Sequence, residues 1–278
     1  KRVCIVADMP VDSGCGKTPV ACMVERVKSS FPQADFVNLR ELEMGPCVGC
    51  LKCGFDNRCV YEGKDDYLSM YRDKVLPADM LVFAGAMTGR YLSSYWQRYL
   101  ERSFNRTHQP VFTGKQVIFL ISGPLSENHN AREVLQGYTE TMGGNLVSII
   151  SDEAEEASVT DAAIDEGAAT MLRYAERGVK LPSSFLGIGG MKIFRDDIYS
   201  GLRFVFQADH RYYRRNGFYD FPQKRPLFRG FISLAVLMTK LPFLREKIRG
   251  RLKQEMLKPY KKIIERAEPV ETPDPDRA

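Results

Sequence analysis

Short apolar runs alternate with helical stripes along the first two thirds of the chain. Arg2–Ala7 (RVCIVA) is apolar and β-branched and leads into a loop containing Pro and Gly, the mark of a buried strand. Val20, Met23, Val24 and Val27 then recur at helical spacing between Thr18 and Ser29. The same reading predicts strands over Asp35–Leu39, Met80–Ala84, Gln116–Ser122 and Asn145–Ile150. Between them it predicts helices over Asp66–Val75, Ser93–Ser103, Ala131–Met142 and Thr160–Arg177. Strand and helix in this alternation imply a doubly wound, five-stranded parallel sheet with helices on both faces. The longest apolar run, around Phe231 to Met238, is less than half of the ~20 residues a membrane-spanning helix needs.

In a sheet of this kind a ligand sits beyond the carboxyl ends of the strands. Three segments occupy that edge: Asp8–Thr18 (DMPVDSGCGKT), Gly85–Ser94 (GAMTGRYLSS) and Gly123–Asn130 (GPLSENHN). All are rich in Gly, Ser, Thr or Asn and are expected to be loops that offer backbone N–H groups to a ligand. In the first, Ser13, Thr18 and the amides around Gly14 and Gly16 suit a phosphate at a helix N-terminus, with Lys17 to neutralise it. Asp8 and Asp12 must then point away. Gly14-Cys15-Gly16-Lys17-Thr18 is not a nucleotide-triphosphate loop, because that motif needs a glycine where Val11 stands.

Charge and cysteine usage change the picture. Residues 1–179 carry 19 Lys/Arg against 24 Asp/Glu, whereas residues 180–278 carry 21 against 11, so a net charge of +5 conceals a split of −5 and +10. The split predicts two regions, 1–179 and 180–278, with different tasks. All seven cysteines lie in the first 59 residues, which favours local thiol chemistry in a cytoplasmic, reducing compartment over a secreted disulfide framework. No N-terminal signal pattern is seen, and a chain that opens without Met is expected to be a piece of a longer polypeptide.

The sharpest pattern is Cys47-Val-Gly-Cys50-Leu-Lys-Cys53-Gly-Phe-Asp-Asn-Arg-Cys59. Two consecutive C-x2-C steps aim three sulfurs from one turn of backbone, and the looser fourth spacing closes the set. Thiolate ligation of this kind holds 4Fe–4S clusters. Structural zinc usually takes two C-x2-C pairs a dozen or more residues apart, and free thiols without metal are the third reading. Cys4 in a strand and Cys22 on a helix are expected to be buried packing residues. His108, His129 and His210 do not cluster with the cysteines.

A βα sheet with a compact four-cysteine insertion (about 45–60) resembles the iron–sulfur flavoproteins of the NADPH-dependent FMN reductase family, over roughly residues 2–180. After the third strand that family reads S/G-P-x-Y-x-x-x-x-S-x-x-x-K-x-x-x-D-R. The counterpart here runs from Gly85 through Ser93-Ser94 to Arg102, with Arg98 and Glu101-Arg102 as conservative matches, while Ala86 and Thr88 replace the Pro and Tyr. In the family's phosphate loop, G-S-P-R-x-x-x-N-T, Pro10 and Thr18 match and the Ser and Arg do not. The resemblance implies a flavodoxin-like fold, FMN and a 4Fe–4S cluster. FMN would be held by Pro10, Ser13, Gly14, Gly16, Lys17, Thr18, Ala86, Met87, Thr88, Gly89, Arg90, Tyr91 and Gly123, and the cluster by Cys47, Cys50, Cys53 and Cys59. It further implies a homodimer or homotetramer that moves electrons between a ferredoxin-like donor or NAD(P)H and a small acceptor. No acid or base is expected, since the cofactor carries the chemistry. The competing reading is a non-enzymatic flavodoxin-like assembly module with zinc or no metal at the four cysteines.

Residues 180–278 lie outside the resemblance and are expected to form a mainly helical, basic, aromatic-rich extension. Tyr199, Phe204, Phe206, Tyr212, Tyr213, Phe218, Tyr219 and Phe221 interleave with Arg203, Arg211, Arg214 and Arg215. That mixture suits oligomer or partner contacts, and no nucleic-acid-binding module is recognised in it. Leu244, Ile248, Leu252, Met256, Tyr260 and Ile263/Ile264 form a helical stripe opposite a basic face, so residues 244–264 are the candidate for peripheral membrane contact.

Overall fold

A computed structural model describes residues 1–10, 16, 18–106, 108–220 and 226–261. Its centre is a sheet of parallel strands β1 (Val3–Ala7), β2 (Asp35–Asn38), β3 (Met80–Thr88), β5 (Gln116–Ser122) and β6 (Asn145–Ser151) in the order β2-β1-β3-β5-β6. A two-residue strand, β4 (Tyr91–Leu92), folds back antiparallel on β3. This is the flavodoxin-like doubly wound order, entered from a pattern of buried β-branched runs. One element was not foreseen. Residues 85–88, expected as loop, continue β3 because Gly85 and Ala86 still pair with Ile121 and Ser122, and β4 makes a sixth strand.

Successive residues of each strand serve opposite faces. Val3, Ile5 and Ala7 point with Val82, Ile118 and Leu120 towards helices α1 (Pro19–Ser30) and α6 (Ala157–Arg177), where Val20, Val24, Val27, Ile164 and Met171 complete an aliphatic layer. Cys4 and Val6 point the other way, into an aromatic layer of Tyr67, Tyr71, Phe83, Trp96, Tyr99, Phe112 and Phe119. That face is covered by α3 (Tyr67–Met70), α4 (Ser94–Ser103) and α5 (His129–Thr141). Cys4 is fully buried, as expected, and burial pushes its thiol up to about 12. Cys22 is only half-buried and accepts the Gly16 N–H at 3.3 Å, so it is not a packing residue.

The extension contains α7 (Phe185–Tyr199), α8 (Gln207–Arg215), α9 (Pro226–Met238) and α10 (Pro242–Leu257). It packs on its own chain. Ser184 caps α7, and Glu140 of α5 accepts from Ser184 N (3.0 Å), Ser184 Oγ (2.5 Å) and Gly187 N (3.1 Å), so a carboxylate sits at the helix N-terminus. The aromatic run is largely an internal cluster: Phe206 and Phe194 close on His108, and Tyr213 stacks on Phe218. Phe221 lies outside the described residues, as do Ile263 and Ile264.

One group makes this packing sensitive to acid. Burial lowers the His210 imidazole to about 4, with Arg203, Arg229, Arg214 and Arg211 acting in the same direction, and its Nδ1 stands 2.9 Å from Tyr219 Oη. The unfolded chain, with His near 6.5, therefore takes up this proton first, and stability is whole above that value and falls as pH drops towards about 4. In urea unfolding at pH 7 and pH 5, the acid-side fall in midpoint is expected to shrink in His210→Gln.

Candidate functional site

Cys47, Cys50, Cys53 and Cys59 are free thiols, and all four line one small cavity of about 30 Å3, open at its mouth, together with Tyr61, Arg102, Phe104 and Asn105. Local backbone conformation turns the sulfurs to this side. Gly49, Leu51 and Asn57 all adopt positive φ (63°, 54° and 61°), which reverses the chain on either side of a short helix, α2 (Lys52–Asp56). Leu51 and Asn57 bracket the helix, and the Asn57 N–H closes it on Cys53 O at 2.8 Å. Left-handed backbone at a non-glycine residue is costly, so its presence at two positions inside one thirteen-residue motif marks a site the rest of the fold holds in place.

Cys53 lies deepest. Burial pushes its thiol up to about 12, and proximity to Cys50, Cys59 and Cys47 adds to the effect. Among the described residues no three His, Cys, Asp or Glu side chains converge on a single ion position. That finding supports neither an iron–sulfur cluster nor zinc at the four cysteines.

The cavity has a buried cation. The Arg102 side chain on α4 is 1% exposed and is paired with Asp65, donating to both carboxylate oxygens, the second at 3.1 Å. It also donates to Gly45 O at 2.9 Å and reaches Cys59 Sγ at 3.9 Å. Tyr61 and Tyr67 lie against its guanidinium at 4.3 and 4.9 Å. Burial opposes the charge, but the Asp65 hydrogen bond and charge outweigh it and raise the guanidinium pKa. The positive charge therefore persists beside the thiols.

The extension clamps the same loop. Gly54 of α2 meets Val205 so closely that a Cβ would stand 2.6 Å from its carbonyl oxygen. Arg211 donates to Phe55 O at 2.6 Å, and Arg245 pairs with Asp56 at 2.9 Å. Fully buried Asp209 accepts from Gln109 (3.1 Å), which donates in turn to Asn57 (3.0 Å). The cysteine helix is thus held from both sides by one chain.

At the carboxyl edge of the sheet the predicted FMN residues divide. Ser13, Gly14 and Lys17 lie outside the described residues. Thr18 precedes α1 with its Oγ1 buried and without a hydrogen-bond partner, and Gly16 takes φ 100° with open space where a Cβ would be. Asp8 is 3% exposed and accepts from Arg40 (2.5 Å) and Ser93. Gly123 (φ 112°) and Met87 are brought together, since a Cβ on Gly123 would stand 2.9 Å from that of Met87. The Gly123 N–H, however, is already taken by Asp152 at 2.8 Å. Thr88, Gly89 and Arg90 are exposed in the turn to β4, and Tyr91 carries a second buried, unpartnered hydroxyl, raised to about 12 by burial. Gly16 and Thr18 line an open cavity of about 450 Å3 shared with Asp152, Glu155 and Asp161, which Ala86 to Tyr91 do not line.

No known family model and no curated protein sequence matches the chain. Solved structures do match. An FMN-dependent NADH-azoreductase from Bacillus anthracis in complex with FMN is 11% identical at a TM-score of 0.48, covering 63% of this chain and 100% of that one. The Trp repressor binding protein from Bacillus subtilis is 16% identical at 0.39, covering 65% and 100%. RosB, with a bound 8-demethyl-8-formylriboflavin-5'-phosphate intermediate, is 10% identical at 0.45, covering 81% and 91%. These likenesses extend to the course of the chain and no further.

Proposed function

We propose that this protein is an FMN- and 4Fe–4S-dependent oxidoreductase that passes electrons between a ferredoxin-like donor or NAD(P)H and a small acceptor. The observation that carries the reading is the set of four free thiols on one cavity, with the buried Arg102 charge beside them. Cys47, Cys50, Cys53 and Cys59 would ligate the cluster, and Arg102 would offset thiolate charge and hydrogen-bond the Cys59 sulfur, a contact of the kind that sets cluster potential. The FMN phosphate would sit at the α1 N-terminus, a reading supported by the doubly wound strand order and by the buried, unpartnered Thr18 hydroxyl there. Together the two groups would supply conversion between one- and two-electron transfer.

Protein purified without oxygen is expected to show flavin bands and a broad shoulder bleached by dithionite, with about four iron and four sulfide per chain. Thr18→Val is expected to weaken FMN about tenfold, or ~1.4 kcal/mol, and leave iron content unchanged. Zinc at about one per chain with no sulfide would overturn the cluster and favour the assembly module.

A further inference from the structure

Helix α9 is turned the opposite way from a helix packed on a core. Its one charged side chain, Arg229, faces the protein, with its guanidinium 3.9 Å above the Tyr199 ring and donating to the Tyr199 hydroxyl. Arg203 reaches the same side and donates to Arg229 O at 3.1 Å and to Ser233 Oγ at 2.5 Å. Ile232 is buried, but Leu227, Phe231, Leu234, Leu237 and Met238 are 46–91% exposed. The exposed apolar surface continues round the bend into α10 through Leu241 and Phe243. A contiguous apolar face of this kind on a water-facing helix marks an interaction surface.

We propose that this face seats the protein on an anionic lipid bilayer, with α9 lying in the headgroup plane. Charge selects the occupant. Residues 226–261 contain nine Lys/Arg against two Glu; Lys240 is exposed at the bend after α9, and Lys247 and Arg251 are exposed on α10. A second copy docked on the same face by a two-fold axis would set these cations against their own equivalents, whereas an anionic surface complements them. The seat lies on the membrane and does not cross it. No single helix among the described residues is long and apolar enough to span, and α9 and α10 diverge by 113°. The expected contact through residues 244–264 is thereby redistributed: Leu244, Ile248 and Leu252 are half-buried, so α10 contributes cations and α9 the apolar wedge.

Co-sedimentation of the full chain with vesicles tests this. Vesicles of phosphatidylcholine with about one third phosphatidylglycerol are expected to bind the protein at least tenfold more tightly than phosphatidylcholine alone, with salt weakening the binding. Phe231→Ser with Leu234→Ser, and separately Lys240→Glu with Lys247→Glu and Arg251→Glu, are each expected to lower binding at least tenfold. All five side chains are exposed, and unchanged circular dichroism would confirm that the variants fold. Failure to bind anionic vesicles overturns the proposal, as does loss of binding in the charge variant alone. A wild-type dimer that becomes a monomer in the Phe231→Ser, Leu234→Ser variant also overturns it and assigns the face to a second copy.

Discussion

Under the proposed cluster, which requires about four iron and four sulfide per chain in the parent, Cys50→Ser protein purified without oxygen is expected to carry less than about one of each. Its flavin content should be unchanged. Cys50 lies between the positive-φ residues Gly49 and Leu51, so its sulfur is committed to the cavity by the backbone and cannot be replaced by a neighbour. The cysteine loop and the α1 N-terminus follow different strands and share no residue, which is why one cofactor should leave without the other. Iron, sulfide and flavin determinations on one preparation separate the outcomes. Iron retained at the parental level would mean that Cys50 is not a ligand.

Arg102→Leu is expected to destabilise the fold by about 3–5 kcal/mol, because it leaves the Asp65 carboxylate buried without its partner. The Asp65 side chain is 4% exposed, and Gly45 O loses its donor in the same step. Arg102→Met with Asp65→Asn should recover most of the loss, since removing both charges of a buried pair is often close to neutral. Urea unfolding reports the difference as a shift in midpoint of roughly 1 M or more for the single variant. An equal loss in single and double variants would show that packing against Tyr61 and Tyr67, and not the unpaired carboxylate, dominates. The double variant should also bind the proposed cluster less well, having lost the cation beside Cys59.

The parallel sheet was legible because each strand is a local run whose residues need no distant partner to identify them. Gln116–Ser122 matches the predicted bounds, and the others agree to within a residue except β3. There the chain kept pairing with β5 through Gly85 and Ala86, residues that look like loop formers but face β5 at close range. Gly85 is required for another reason: a Cβ would meet Trp96 Nε1 at 2.4 Å, and the same indole donates to Ala84 O at 3.1 Å. The thiols were legible too, since four of them within thirteen residues need only a local turn to meet. Arg102 carried only a faint signal, as one residue of a family-like pattern, and Asp65 carried none.

What the sequence determined by itself was short-ranged: strand and helix periods, the grouping of thiols, and the charge imbalance between residues 1–179 and 180–278. These depend on neighbours a few positions apart, for which backbone geometry sets the spacing. The tertiary structure decided the rest. It paired Asp65 with Arg102, laid Val205, Arg211 and Arg245 on the cysteine loop and linked Asp209 to it through Gln109, by contacts that bring distant parts of the chain together. It also decided the orientation of α9. Periodicity shows that a helix has an apolar stripe, but only the positions of Tyr199 and Arg203 draw the polar side inward and leave the apolar side facing out. Which face a helix buries depends on which chemistry its neighbours offer, and those neighbours are brought together only when the chain folds.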